Sequence, residues 1–392
     1  MASHRSDMPS RSRRSFVQTM GAGAAGLWIA GRGREGALFG ATAEAAEGAP
    51  LLLSSNENPL GCHPAVLEAV RGSLAEAGRY AFAAADEVTR LVAARHGVKP
   101  ENVLLGAGST QILRTVTHVF TSKTAGLTTT LPAYEDCANY ARLMGHPING
   151  VPLAAPRLAM DLDRLQAAAK GAGLVFYCNP INPVGTAVSG ADTRAFLAGL
   201  KRSSPGTTVL IDEAYFEYVT MPGYETMVPL AVEDPRVVVA RTFSKCFGMA
   251  GLRIGYAVAH RDTIAKMAAW DGIDAISVMA LDGAKAALAV PAQWVKDEQA
   301  RNAAARSFTM QWFTDHGYTP TDSQTNFIFV DIRRPAKGFR DGCAAEGIMV
   351  GRDFPPYEKT HARISIGTMA EMQRAVQVFA RVLATPAKAA AA

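Results

Sequence analysis

From about residue 100 the apolar positions fall into two alternating kinds of run. Short runs, "NVLLGA", "AGLTTTLP", "INGVPL", "LVFYCN", "TTVLIDEA", "RVVVARTF" and "LRIGYAVAH", each hold four to eight β-prone residues. Between the earlier ones lie longer stretches with helical spacing, such as "STQILRTVTHVF", "YEDCANYARLMG", "MDLDRLQAAAKG" and "ADTRAFLAGLKR". Strands that are apolar throughout, separated by helices, predict a parallel sheet covered on both faces. After residue 261 the text turns helical through "AAWDGIDAISVMALDGAKAALAV" and "QWVKDEQARNAAARSFTMQWFTDHG". "NFIFVDI", a helix, "GIMVG", "ARISIGT" and a closing helix then read as a smaller α+β unit. The expected organisation is an arm at 44–65, a large domain at 66–290, a small domain at 291–386 and a disordered tail at 387–392.

The head of the chain follows different rules. "SRRSFVQTMGAGAAGLWIAG" pairs Arg13 with Arg14 ahead of Phe16 and a weakly apolar run, and Ala41-Thr42-Ala43 offers a cleavage site. Residues 1–43 resemble a twin-arginine export signal, which predicts the export machinery as a partner and a periplasmic or exported product. Arg32 and Arg34 interrupt the run before it reaches ~20 apolar residues, so a membrane span is not expected. Setting the leader aside also changes the charge picture. The whole chain carries +5, yet outside residues 1–43 there are 34 basic and 33 acidic residues. That balance does not recommend a nucleic acid or an anionic membrane. Five cysteines, with no C-x-x-C spacing and no nearby histidine cluster, predict no zinc site and at least one free thiol.

Ligands of open α/β sheets collect at the carboxyl ends of strands, and four polar clusters fall there. "LGAGSTQIL" puts Ser109 and Thr110 at a helix start, where free N–H groups favour a phosphate. A tight turn with a plain N-cap reads from the same residues. "YCNPINPVGT" sets Asn182 in a loop stiffened by two Asn-Pro steps, with a cis bond before Pro183 plausible, and an Asx-type turn is the bland alternative. "VLIDEAYFEY" drives Asp212 and Glu213 out of an apolar strand, where a buried carboxylate needs a cationic partner; a protonated pyridine nitrogen would serve. Tyr215 could then donate to a phenolate oxygen. In "RTFSKCFGMAGLRIGY", Thr242 and Ser244 can bond a phosphate, Lys245 can condense with an aldehyde, and Arg253 can close the anion site.

Taken together, "LSSNENPLG", "GRYAF", "LGAGST", "PAYEDC", "NPINPVGT", "IDEAYFEY", "TFSKCFGMAGLRIGY" and "ARISIGT" resemble the fold-type I pyridoxal-phosphate enzymes. The resemblance covers about residues 50–386 and is strongest to the histidinol-phosphate aminotransferase branch of the class I/II aminotransferases. It implies an α/β fold with a mostly parallel seven-stranded sheet plus the smaller C-terminal domain, and pyridoxal 5'-phosphate as cofactor. By the same resemblance Lys245 would hold the cofactor as an internal aldimine and shuttle a proton, and Asp212 would pair with the pyridinium nitrogen. Asn182 and Tyr215 would bond the phenolic oxygen, and Tyr134 would stack on the ring. Ser109, Thr110, Ser244 and Arg253 would hold the phosphate, with Thr242 beside them. Tyr80 would reach the phosphate of a neighbouring subunit, which implies a homodimer with shared sites. Arg363 would clamp the substrate carboxylate; Arg352 fits the place of an arginine that reads a substrate phosphate, and Asn58 and Asn326 are lesser substrate-side candidates.

The implied activity is amino-group transfer between an L-amino acid or histidinol-phosphate-like amine and a 2-oxo acid such as 2-oxoglutarate. Two alternatives stand beside it: a decarboxylase or lyase of the threonine-phosphate decarboxylase type, and a cofactor-loaded binding protein without turnover. An export signal sits poorly with a biosynthetic histidine role, because the phosphorylated intermediate is cytoplasmic. An exported relative acting on aromatic or other free L-amino acids therefore stands level with one acting on the phosphorylated amine.

Overall fold

The structure is a computed structural model that describes residues 49–270 and 276–385. The expected export leader and the terminal tail lie outside the described residues. All described residues belong to one compact unit.

Seven strands form the central sheet: β2 (Val103–Gly106), β3 (Leu127–Leu131), β4 (Ile148–Pro152), β5 (Leu174–Cys178), β6 (Thr208–Asp212), β7 (Val237–Thr242) and β8 (Gly255–Ala259), preceded in the chain by the short β1 (Leu51–Leu53). Their spatial order is β2-β8-β7-β6-β5-β3-β4. β3 to β7 pair in parallel, whereas β8 runs antiparallel to both β2 and β7. The mostly parallel sheet read from the apolar runs is therefore present, with one reversed strand.

Successive side chains of a strand face opposite sides, and here both sides are core. Val175, Tyr177, Val209, Ile211, Val237 and Val239 join one apolar cluster. Their neighbours Leu174, Phe176, Leu210, Val238 and Ala240 join the other, against the helix Ser109–Phe120. Burying each Val, Leu or Ile contributes about 1.5–3 kcal/mol, so the unbroken apolar runs are what two-sided burial requires.

A second sheet of three antiparallel strands, β9 (Thr319–Pro320), β10 (Phe327–Asp331) and β12 (His361–Ser365), has its own core. β11 (Ile348–Val350) pairs in parallel with β1, so the N-terminal arm is tied to the C-terminal unit by backbone hydrogen bonds. The arm then crosses toward the central sheet, and this crossing matters for the site. Among the described residues all five cysteines are free thiols, four of them buried, and no helix is long and apolar enough to cross a membrane.

Candidate active site

Because β8 alone is reversed within the seven-stranded sheet, its amino end lies on the same edge as the carboxyl ends of β2, β5, β6 and β7. Arg253, two residues before β8, thus arrives beside residues that follow the other strands. A cavity of about 250 Å³ opens on this edge, just below the ~300–1,000 Å³ usual for ligand sites. Ser109, Thr110, Tyr134, Asn182, Asp212, Tyr215, Thr242, Ser244, Lys245, Arg253, Arg352 and Arg363 all line it. A wider hollow of about 500 Å³ around Arg79–Phe82 gathers, among the described residues, a single charged one and no comparable chemistry.

One end of the cavity is built for an anion. The helix Ser109–Phe120 starts after Gly108, and no side chain caps its first turn. Ser109 and Thr110 sit at that N-terminus, where the N–H groups and the helix dipole favour negative charge. Arg253 closes the far side, its Nη1 donating to Ser244 Oγ at 3.4 Å and to the Ala250 carbonyl at 2.9 Å. Gly108 has φ +76°, and a Cβ there would fall 2.2 Å from Arg253 Nη2. Only glycine leaves room for that guanidinium. Arg253 itself holds a left-handed backbone, φ +58°, a strained state for an arginine that the packing around it must enforce.

At the centre, a base and an acid face each other with altered proton affinities. Lys245 follows β7, is half-buried and opens onto the cavity; its Nζ donates to the Ser55 carbonyl at 3.3 Å. Burial and the nearby Arg363 draw its pKa down to about 8, against the pull of Glu57 and Asp212. Asp212 ends β6, 4% exposed, and accepts the Ala214 N–H at 3.2 Å. Burial lifts its pKa to about 7, with Glu213 adding to the rise and Lys245 opposing it. An acid so placed is short of positive charge.

Around them runs a hydrogen-bonded ring. Tyr215 Oη accepts from Asn182 Nδ2 at 3.3 Å and from Asn56 Nδ2 at 3.1 Å. Asn182 Oδ1 accepts from Arg363 Nη1 at 2.8 Å, and Arg363 Nη2 donates to the Ser54 carbonyl at 2.7 Å. The remaining Nε of Arg363 is buried and has no hydrogen-bond partner among the described residues. Burial, with Arg352 adding to it, pulls this guanidinium down to about 10. The Arg363 guanidinium lines the cavity, and a planar charged fork so placed suits a carboxylate. The peptide bond before Pro183 is cis, as the Asn-Pro steps suggested.

Three expected residues do not line the cavity. Asn58 donates to the Cys246 carbonyl at 2.8 Å and accepts from Leu60 N at 2.9 Å, so it fastens the arm to the turn after Lys245 rather than facing a substrate. Asn326 donates to the Asn56 carbonyl at 3.0 Å and acts through that neighbour. Tyr80 is 79% exposed and stacks on Phe82 at 5.7 Å, away from this chain's cavity.

Two features were missed. Asn56, in the left-handed region at φ +56° and 1% exposed, lines the cavity and holds Tyr215. Its place beside Asn58 in "SSNENP" was the available signal, since asparagine tolerates that conformation better than most residues. Arg241 is the cation that satisfies Glu213: its guanidinium pairs with Glu213 at 2.7 Å and with Glu217 at 3.2 Å. The cationic partner expected for the two strand-end carboxylates is thus intramolecular for Glu213, leaving Asp212 as the acid that faces the cavity.

Comparison with known proteins bears on this geometry. The profile of the family described as Aminotransferase class I and II matches residues 49–379. A histidinol-phosphate aminotransferase of Symbiobacterium thermophilum is 32% identical, over 84% of this chain and 90% of its own length. The histidinol-phosphate aminotransferase 2 of Methylococcus capsulatus is 33% identical over 84% and 90%. The crystal structure of the Sinorhizobium meliloti histidinol-phosphate aminotransferase in complex with pyridoxal-5'-phosphate superposes with a TM-score of 0.79 at 28% identity, covering 86% of this chain and 91% of that one. An L-threonine-O-3-phosphate decarboxylase from Porphyromonas gingivalis, TM-score 0.73 at 20% identity over 86% of this chain and all of its own, shares the fold.

Proposed function

The chain belongs to the class I and II aminotransferases, and from that premise we propose that it moves an amino group between an L-amino acid or related amine and a 2-oxo acid, with pyridoxal 5'-phosphate as cofactor in the cavity above β6 and β7. The observation that carries the reading is the placement of Lys245 and Asp212 in one cavity, an amine with lowered and an acid with raised proton affinity.

The residues present fit the cofactor group by group. The uncapped helix start with Ser109, Thr110, Ser244 and Arg253 is a cradle for its phosphate, kept open by Gly108. Asp212, buried and short of positive charge, suits a pyridine nitrogen that carries a proton. Tyr215 and Asn182 would hold the phenolic oxygen, Tyr134 would cover the ring face, and Lys245 is the amine placed to take the aldehyde carbon. When bound, the cofactor supplies that aldehyde and an electron-withdrawing ring that accepts charge from the substrate's Cα.

The chain's own residues supply the remaining chemistry. Arg363 binds the substrate carboxylate, its Nη atoms anchored by the Asn182 side chain and the Ser54 carbonyl so that the fork's direction is fixed. That clamp orients the amine and the Cα–H bond toward Lys245. Lys245 Nζ, which burial and Arg363 draw down to about 8 in the cofactor-free protein, would take the Cα proton as general base. With the cofactor bound, Asp212 would keep the ring nitrogen protonated and would gain the positive charge its burial otherwise denies it. Asn56 and Asn326 hold Tyr215 and the arm in register.

Two wider statements belong to the proposal. Tyr80, exposed and off this chain's cavity, is free to reach the phosphate of a second copy; a monomeric holoenzyme by light scattering would remove it from the site. Residues 1–43 support export through the twin-arginine machinery, expected to carry a fused reporter into the periplasm with Arg13 and Arg14 intact and to fail with both changed to lysine.

The reaction itself is tested by its halves. With pyridoxal phosphate bound and no acceptor present, a panel of L-amino acids and histidinol phosphate is added in turn. An accepted donor is expected to abolish the visible absorption of the bound cofactor, and a 2-oxo acid to restore it, without release of carbon dioxide. A panel that leaves the absorption untouched, or one that yields carbon dioxide, would contradict the assignment.

A further inference from the structure

Arg352 is the third arginine of the cavity, and neither the phosphate cradle nor the carboxylate clamp uses it. It is built into the site through Phe354, a 3%-exposed ring that carries two guanidiniums, Arg352 at 4.3 Å and Arg363 at 4.5 Å from its centroid. Arg352 Nη1 donates to the Asp353 carbonyl at 3.0 Å. Its Nη2 is engaged by the carboxylate of Glu135. Glu135 follows Tyr134 directly and comes from the loop after β3, while Arg352 comes from the loop after β11. The pair therefore joins the two segments that bound the cavity's outer end.

We propose that Glu135 caps Arg352 and makes the site selective for amino donors with a single carboxylate and an uncharged or cationic side chain, turning away those with a second anion, whether phosphate ester or carboxylate. The inference rests on the aminotransferase reading and narrows its substrate class. With Arg363 taking the one carboxylate and Arg253 the cofactor phosphate, Arg352 is the remaining arginine that this chain's described residues offer a second anion in the cavity. Glu135 already neutralises that guanidinium and repels an approaching anion at close range. The pair is partly exposed, with side chains 54% and 38% accessible. Pairs of that kind stabilise a fold very little, so its effect lies in selection among ligands. A side chain with a hydroxyl, an imidazole or an ammonium group meets no such penalty and can turn to Glu135 itself. The same discrimination applies to the acceptor, so pyruvate outruns 2-oxoglutarate.

Two unreactive four-carbon probes separate the effect from turnover: maleate, with two carboxylates, and crotonate, with one. Their Kd values on the holoenzyme are measured by calorimetry. Glu135→Gln is expected to tighten maleate by about tenfold and to leave crotonate within about twofold. Adding Arg352→Gln to that variant should cancel the gain. No change for either probe, an equal change for both, or a gain that survives loss of Arg352 would overturn the proposal. Neither probe can be transaminated, so failure here is distinct from failure of the half-reactions, which would instead overturn the aminotransferase reading.

Discussion

Lys245→Ala is expected to lower amino-group transfer by at least about 10⁴-fold, the upper range for losing a positioned acid–base group, since the proposed attachment point of the cofactor goes with it. The fold should survive. Lys245 is half-buried and makes one hydrogen bond, to the Ser55 carbonyl, and its charged form is disfavoured by burial and by Arg363. Truncation therefore removes a group that the apo protein holds at a cost. Far-UV circular dichroism and melting temperature measured beside the half-reaction separate the two effects. A variant that transfers amino groups at the original rate would remove Lys245 from its role.

Asp212→Asn is expected to act in opposite directions on activity and stability. Activity should fall by about 10²–10³-fold, as for loss of a preorganised electrostatic partner. The cofactor-free protein should gain about 1–3 kcal/mol at pH 7 to 8. The sign follows from proton binding. The folded carboxyl titrates near 7, the unfolded one near its ordinary 3.8. Between those values the folded state keeps a proton that the unfolded state has lost, so stability falls as pH rises from about 4 to 7. Above 7 the whole penalty is present. Lys245 behaves in mirror fashion, its folded value near 8 against 10.5 unfolded, so its penalty holds below 8 and is relieved between 8 and 10.5. Together the two groups make the cofactor-free protein weakest near pH 7 to 8, where the bound cofactor is most needed to stabilise it. Melting temperatures of the apo protein across pH 4 to 9 check this. An acid limb that keeps its slope in the Asn variant would show that Asp212 is not the group responsible.

The parts of the site that follow strand ends were legible in the chain. A parallel sheet delivers every strand's carboxyl end to one edge, so a reading that finds the strands also finds Asn182, Asp212 and Lys245 as neighbours. Arg253 came with them through its place in the motif, although the reversal of β8 that brings it there cannot be read from apolar runs. What depends on chain crossings was not legible. Asn58 rather than Asn56 was expected to face the substrate, because the winding of an irregular arm decides which of two nearby asparagines points inward, and no periodicity governs it. The Glu213–Arg241 pair joins neighbouring strands, and its register appears only once the strands are aligned. The contact of Glu135 with Arg352 spans 217 positions and two loops, which no local pattern encodes.

The central claim is that the cavity's lysine carries pyridoxal phosphate and that no other lysine does. Borohydride reduction of the purified holoenzyme, followed by proteolysis and mass mapping of the peptides, tests it directly. One cofactor mass per chain is expected, fixed on the peptide that contains Lys245 and missing from the Lys245→Ala variant. A modified peptide centred on a different lysine, or a reduced protein that carries no cofactor at all, would contradict it.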